Sequence, residues 1–370
     1  MKKIVLASDS FKGSLSSLDI CRFFSSQIKD KNLLTLVPIA DGGEGSIDAI
    51  ASIKKGRFIK CNVHNLYFEE IEVSFFVDED DNAYIEAAST VGLSLARKDN
   101  NPGLVTSMGI GEQILHAINL GIKNIYIFIG GTASNDCGAG IAYALGARFF
   151  NKNGESFIPT GLTLKNVYRI EFPYKEELFK NVKINILSDV KSPLYGKDGA
   201  AYVFAKQKGA KNDEIPQLDE GLRSFSEVIK NCLNIDVSQI PGSGAAGGIG
   251  AGLLAFTSGK IYSGIDTLLD LIHFDDLIQD ADLVISGEGK LDRQSFEGKV
   301  IDGIAKRCLK AHKNLLLIVG ISTLSLEEVS KAYPCVVRIF ETNPNHLPFE
   351  EIKSNAANDY IEVIKKVSSL

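Results

Sequence analysis

A strand-helix rhythm at both ends of the chain, broken in the middle, limits the folds open to it more than any other feature. Residues 3–7 (KIVLA) read as a buried strand and 17–28 as a helix, with Leu18, Cys21, Phe24 and Ile28 at helical spacing. LLTLVPIA (33–40) reads as the next strand, with Pro38 near its end, and residues 46–53 as a short helix. From residue 281 the alternation returns: strand 282–286, helix 299–312, strand 315–319, helix 325–332, strand 336–339 and helix 349–367. Strands separated by helices pair in parallel, so both ends predict α/β layers built on a parallel sheet.

Between them the pattern changes. FEEIEVSFFVDEDDNAYIEAA (68–88) alternates polar and apolar residues around an acidic turn, which predicts a β-hairpin. Helices follow at 108–119 and 139–145, strands at 125–129 and 182–187, and a charged, mostly helical stretch at 210–236. At 370 residues the chain exceeds the size at which one core stops growing. The expected organisation is therefore a discontinuous parallel-sheet domain, 1–61 with 283–370, enclosing an inserted mixed α/β domain, 62–282. The two crossings would form a hinge.

A formal charge of −6 argues against nonspecific nucleic-acid binding, which needs a basic surface. Lys206, Lys208 and Lys211 form the main local exception and read as a solvated loop, with a phosphate contact as the sharper alternative. Six scattered cysteines lack a C-x-x-C pair, so neither zinc nor a disulfide framework is expected and a reduced, cytoplasmic setting fits. The N-terminal apolar run, Ile4 to Ala7, is too short for a signal peptide, and no segment reaches the ~20 apolar residues of a membrane span.

Five glycine-rich stretches carry acidic, hydroxyl or lysine side chains: SDSFKG (8–13), ADGGEG (40–45), IGGTASNDCGAG (129–140), PGSGAAGGIG (241–250) and SGEGKLDRQ (286–294). Glycine concentrates where the backbone must approach something closely, and several of these stretches join a strand to a helix, where free N–H groups attract anions. Ligands of open parallel sheets bind beyond the carboxyl ends of the strands. Asp9, Asp41, Asp189 and Glu288 all fall just past strand ends. A single such aspartate reads as a helix cap, whereas four carboxylates gathered together need a cation, as a Mg²⁺-nucleotide would supply.

Lys12 and Lys299 each precede a helix, where a cation opposes the macrodipole unless it meets a phosphate. In GGTASND, Gly130 and Gly131 free the backbone to turn while Thr132, Ser134 and Asn135 add donors, which describes an anion nest, with a plain helix cap as the alternative. Gly242, Gly244 and Gly247 match G-x-G-x-x-G, with Asp266 downstream, but lack a good preceding strand, so close helix packing or phosphate approach outweighs a dinucleotide fold. No G-x-x-x-x-G-K-[ST] is present.

Taken in order, SDSFKGSLSS, PIADGGEGS, YIEAASTVGL, GGTASNDCGAG, SDVKSPLYG, AKQKGA, PGSGAAGGIG and GEGKLDRQSFEGK span nearly the whole chain and resemble the bacterial glycerate kinase family. Ser8, Thr132, Cys137 and Ser192 depart from the usual pattern, and none removes a carboxylate or lysine named above. The resemblance implies ATP-dependent phosphorylation of D-glycerate, favours 2-phosphoglycerate over 3-phosphoglycerate, and implies a flavodoxin-like domain carrying an inserted one. A kinase of another small hydroxy acid is the nearest alternative and an NAD-dependent dehydrogenase a more distant one.

The site expected on this basis has Asp189, Lys12 and Lys299 as catalytic residues, with Asp189 acting on the acceptor hydroxyl. Asp9, Ser10, Gly13 and Asp41 would bind the acid between the domains. Gly130, Gly131, Thr132, Ser134 and Asn135 would bind nucleotide, and Glu288 and Asp292 would hold Mg²⁺. The partner is a small molecule, with no nucleic acid or membrane, and homo-oligomerisation is left open.

Overall fold

The computed structural model describes residues 3–368 except 12, 29, 41 and 44. Two compact units result, one of residues 1–41, 48–54 and 265–370, the other of 42–47 and 55–264. The rhythm-based boundaries stood at 61/62 and 282/283; here the chain passes between the units four times, the last two passages at 54/55 and 264/265, each earlier than expected.

Five strands make the sheet of the first unit: β1 (Ile4–Ser8), β2 (Leu34–Pro38), β3 (Leu283–Ser286), β4 (Leu315–Val319) and β5 (Val336–Glu341). Every pairing is parallel, in the spatial order β2-β1-β3-β4-β5. This is the flavodoxin-like order, in which the chain reverses direction across the sheet between β1 and β3. All five residues of β4, LLLIV, are buried, as a strand covered on both faces requires.

The helix Ser17–Gln27 starts at a reciprocal cap, with Asp19 N–H donating to Ser16 Oγ (3.1 Å) and Ser16 N–H to the Asp19 carboxylate (3.3 Å). It buries Ile20, Cys21 and Phe24 and leaves Leu18 exposed, so the apolar stripe is rotated from the expected one. The final helix, Ala356–Ser368, adds Tyr360, Val363, Ile364 and Val367 to the same core, each worth about 1.5–3 kcal/mol when fully buried. It is separated by three residues from a short helix, Phe349–Ile352, where the sequence pattern predicts one continuous element.

The second unit has a six-stranded mixed sheet. Strands Lys260–Tyr262, Lys183–Leu187, Asn124–Phe128 and Asn82–Glu86 lie parallel in that order, and Glu70–Asp78 and Gly56–His64 continue it antiparallel. The expected hairpin is present, and Gly56–His64 adds a third strand to it. A second core around Phe149, Phe225 and Phe256 joins the helices Ile215–Leu233 and Ala245–Phe256 to a small three-stranded sheet. No helix among the described residues is long and apolar enough to cross a membrane.

Candidate functional site

The loops after β1 and β3 leave the sheet side by side, at the reversal point. Asp9 and Glu288 stand there, both buried. Asp9 N–H donates to the Gly287 carbonyl (3.0 Å), while the Asp9 carboxylate accepts from the Ser10 N–H (2.7 Å). Gly287 is obligatory, because a Cβ there would overlap the Ile318 carbonyl oxygen at the end of β4. The next loop is tied in as well: Gly320 N–H donates to the Glu288 carbonyl (3.0 Å), and Lys290–Leu291 pairs in parallel with Ile321–Ser322.

These loops surround a cavity of about 410 Å³ within the first unit. Asp9, Ser10, Glu288, Asp292 and Lys299, five of the expected site residues, line it, together with Lys290. Lys299 is the N-terminal cap residue of the helix Val300–Lys310, so a cation and the positive end of a helix dipole stand together. Asp292 caps the preceding 3₁₀ turn by accepting from Gln294 N–H (3.0 Å) and pairs with Lys290 (3.1 Å). Burial opposes its ionisation, but the Lys290 bond, the Gln294 N–H and the charges of Lys290 and Lys299 prevail and hold its carboxyl below the usual range. Gly13 has a left-handed backbone (φ +83°) and lies against the tip of the Phe349 ring. Lys12 and Asp41 fall outside the described residues.

The remaining expected residues belong to the second unit. Asp189 follows the strand Lys183–Leu187, and its Oδ1 accepts from Ser263 Oγ (2.9 Å) and Gly264 N–H (2.8 Å). In GGTASND, Gly130 and Gly131 reach the surface, whereas Thr132, Ser134 and Asn135 are buried. The N–H groups of Gly130, Ala133, Asn135 and Cys137 donate to the carbonyls of Gly42, Val91, Pro102 and Gly247 at 2.7–3.2 Å. Those four donors are spent inside the protein, and the loop can offer an anion little through them.

Lys208 changes meaning most. Far from lying in a solvated loop, it is buried, with Nζ donating to the Ser134 carbonyl (2.8 Å) and Asn100 Nδ2 donating to its own carbonyl (2.7 Å). Burial brings its pKa down to about 7, against the opposing pull of Asp136. Asp136 is buried too, its carboxyl pushed up by burial although Ser107, Gly138 and Gly140 donate to it. PGSGAAGGIG packs on this layer: a Cβ at Gly247 would overlap the Ser134 carbonyl and one at Gly244 the Pro193 carbonyl. The G-x-G-x-x-G match is therefore a packing device rather than a dinucleotide loop.

The profile of the glycerate kinase family matches residues 4–370. The chain belongs to the glycerate kinase family. Its members are phosphotransferases with an alcohol group as acceptor, and so is this protein. A glycerate kinase of Bacillus cereus is 37% identical over 369 residues, covering 98% of this chain and 96% of that one. A glycerate kinase of Neisseria meningitidis is 42% identical over 311 residues, 82% of each chain. A glycerate 2-kinase of Escherichia coli is 39% identical over 324 residues, 86% of this chain and 85% of that one. The fold likewise matches a crystal structure assigned as glycerate kinase 2 of Salmonella typhimurium LT2, with a TM-score of 0.82 at 32% identity, over 100% of this chain and 97% of the other. Of the cavity residues of this kinase, Lys290 and Phe349 escaped the sequence reading. Lys290 sits in a quoted motif, and its alternation with Asp292 was the available signal; Phe349 carried none.

Proposed function

We propose that the protein transfers the γ-phosphoryl group of ATP to the 2-hydroxyl of D-glycerate, giving 2-phosphoglycerate and ADP. The observation that carries this reading is the assembly of Asp9, Glu288, Lys290 and Lys299 on one cavity at the reversal point of the parallel sheet. Phosphoryl transfer asks a protein mainly for positioning and charge, and both signs of charge are present there. That the Escherichia coli relative is a glycerate 2-kinase supports the choice of hydroxyl.

In the transfer, the acceptor oxygen bonds to the γ-phosphorus as the bond to the β–γ bridging oxygen breaks, and ADP leaves with that electron pair. Asp189 is the residue proposed to take the hydroxyl proton; Ser263 and Gly264 fix one of its oxygens. Lys299 and the helix end behind it stabilise charge on the phosphoryl oxygens. Ser10, and Lys12 of the same SDSFKG stretch, are proposed to help hold the anionic groups of the substrates.

Among the described residues no three His, Cys, Asp or Glu side chains group to hold a metal alone. Mg²⁺ typically needs only one or two carboxylates besides phosphate oxygens, so the residues fit a nucleotide-borne ion. Glu288, buried at the edge of the cavity, and Asp292 are the carboxylates proposed to hold it, and the ion when bound neutralises phosphate charge. The cysteines, none of them in a disulfide, suit a reducing cytoplasm.

The test is ADP release from ATP, coupled to a spectroscopic readout, with D-glycerate, glycolate and D-lactate as acceptors. Mg²⁺-dependent release with D-glycerate is expected. Faster release with another acid would transfer the reading to a different hydroxy-acid kinase, and no release with any acceptor would remove it.

A further inference from the structure

The cavity is lined by side chains of two chemically different kinds. Glu288, Lys290, Asp292 and Lys299 give it a charged group of lining side chains; Phe11, Leu347, Phe349 and Ile352 give it an apolar group, with Ser14, Thr342, Asn343 and Asp359 as polar lining besides. Leu347 and Phe349 are 46% and 43% exposed, in a segment, HLPFEEIK, that otherwise turns polar groups to water. A large aromatic and a leucine left open beside a charged pocket lose the free energy of burial unless something apolar covers them.

Asp359 of the lining accepts from Asn355 Nδ2 (2.8 Å), and two further polar lining groups are engaged as well. Both amide atoms of Asn343 bond to the main chain of Leu347 (3.0 Å each), and Ser14 Oγ donates to the Phe11 carbonyl (2.8 Å). The tip of the Phe349 ring meets Gly13, where a Cβ would come within 3.0 Å of Phe349 Cζ, so the ring packs its edge against the first glycine-rich loop. Here is a wall for a flat, apolar surface, with cations lining the same cavity.

We propose that Phe349, with Leu347 and Ile352, forms the subsite for the nucleobase of the phosphoryl donor, whose phosphates extend toward Lys290 and Lys299. This rests on the reading that the donor is a nucleoside triphosphate. The choice of occupant follows from chemistry: neither a three-carbon hydroxy acid nor a triphosphate chain has an apolar face, and the base of the donor has one. Stacking on an aromatic side chain typically contributes ~1–3 kcal/mol per base. A cavity of about 410 Å³ lies within the usual range for small-molecule sites.

The test compares binding of a non-hydrolysable ATP analogue and of inorganic tripolyphosphate, each with Mg²⁺, by titration calorimetry on wild type, Phe349→Ala and Phe349→Tyr. Phe349→Ala is expected to weaken the analogue about tenfold and tripolyphosphate less than twofold, and Phe349→Tyr to restore wild-type affinity. If Phe349 merely supports the loop at Gly13, both ligands weaken together in Phe349→Ala; that result, or no change in either, overturns the subsite. Binding is measured without turnover, so a protein that binds in the expected pattern yet releases no ADP with D-glycerate would contradict the proposed reaction and leave the subsite standing.

Discussion

Lys299 stands where its charge opposes the dipole of the helix it precedes, a placement that costs stability and is repaid by an anion. Lys299→Met should therefore lower kcat on the order of 10²-fold while leaving thermal stability equal or slightly raised. A fall in both would make Lys299 a structural residue. Lys208 presents the opposite case, a cation whose place could not be read from neighbouring residues. Its exposure depended on Asn100, Ser134 and Asp136, which come from other parts of the chain. With its folded pKa near 7 and its usual value at 10.5, the unfolded chain keeps a proton that the folded chain has lost between those limits. Stability from this group is thus lowest below pH 7 and rises with pH through the window. Urea unfolding of wild type relative to Lys208→Met should show a gain on the order of 1–2 kcal/mol between pH 7 and 9, and parallel profiles would place the lysine in water.

At the scale of elements, the legible ones were those with regular apolar spacing, such as Met108–Asn119 and Leu315–Val319. Gly56–His64 escaped because only Cys61 and Val63 of this edge strand are buried, too few to mark a period. Ala245–Phe256 escaped for another reason. Ala246, Gly247 and Gly248 take positive φ and kink it near its start, and its glycines weaken a helix intrinsically, yet Gly252 permits a backbone approach to Cys137 that no other residue would allow, so packing overrides propensity. The β3 exit makes a sharper prediction. Gly287→Ala forces a methyl into the Ile318 carbonyl, and should cost about 1–3 kcal/mol and displace Glu288. A variant with unchanged melting temperature and unchanged Mg²⁺ dependence would show that the two loops are not locked together.

For the whole molecule, rhythm in the sequence sufficed for α/β class and for two regions of parallel strands, but not for their spatial order. That order, β2-β1-β3-β4-β5, is what sets Asp9 beside Glu288 although 279 positions separate them. The same rule of strand ends named Asp9 and Glu288, which line the cavity, together with Asp189, which belongs to the other unit, and Asp41, outside the described residues; it left the apolar wall invisible, since Phe349 belongs to a short helix rather than to a strand exit. Together these groups are proposed to serve phosphoryl transfer to one hydroxyl of glycerate. Proton-coupled phosphorus NMR of a mixture of the protein, ATP, Mg²⁺ and D-glycerate tests it most directly. A new phosphomonoester signal split into a doublet, by the single hydrogen on C2, is the predicted result; a triplet would place the phosphate on C3, and no new monoester would contradict the claim.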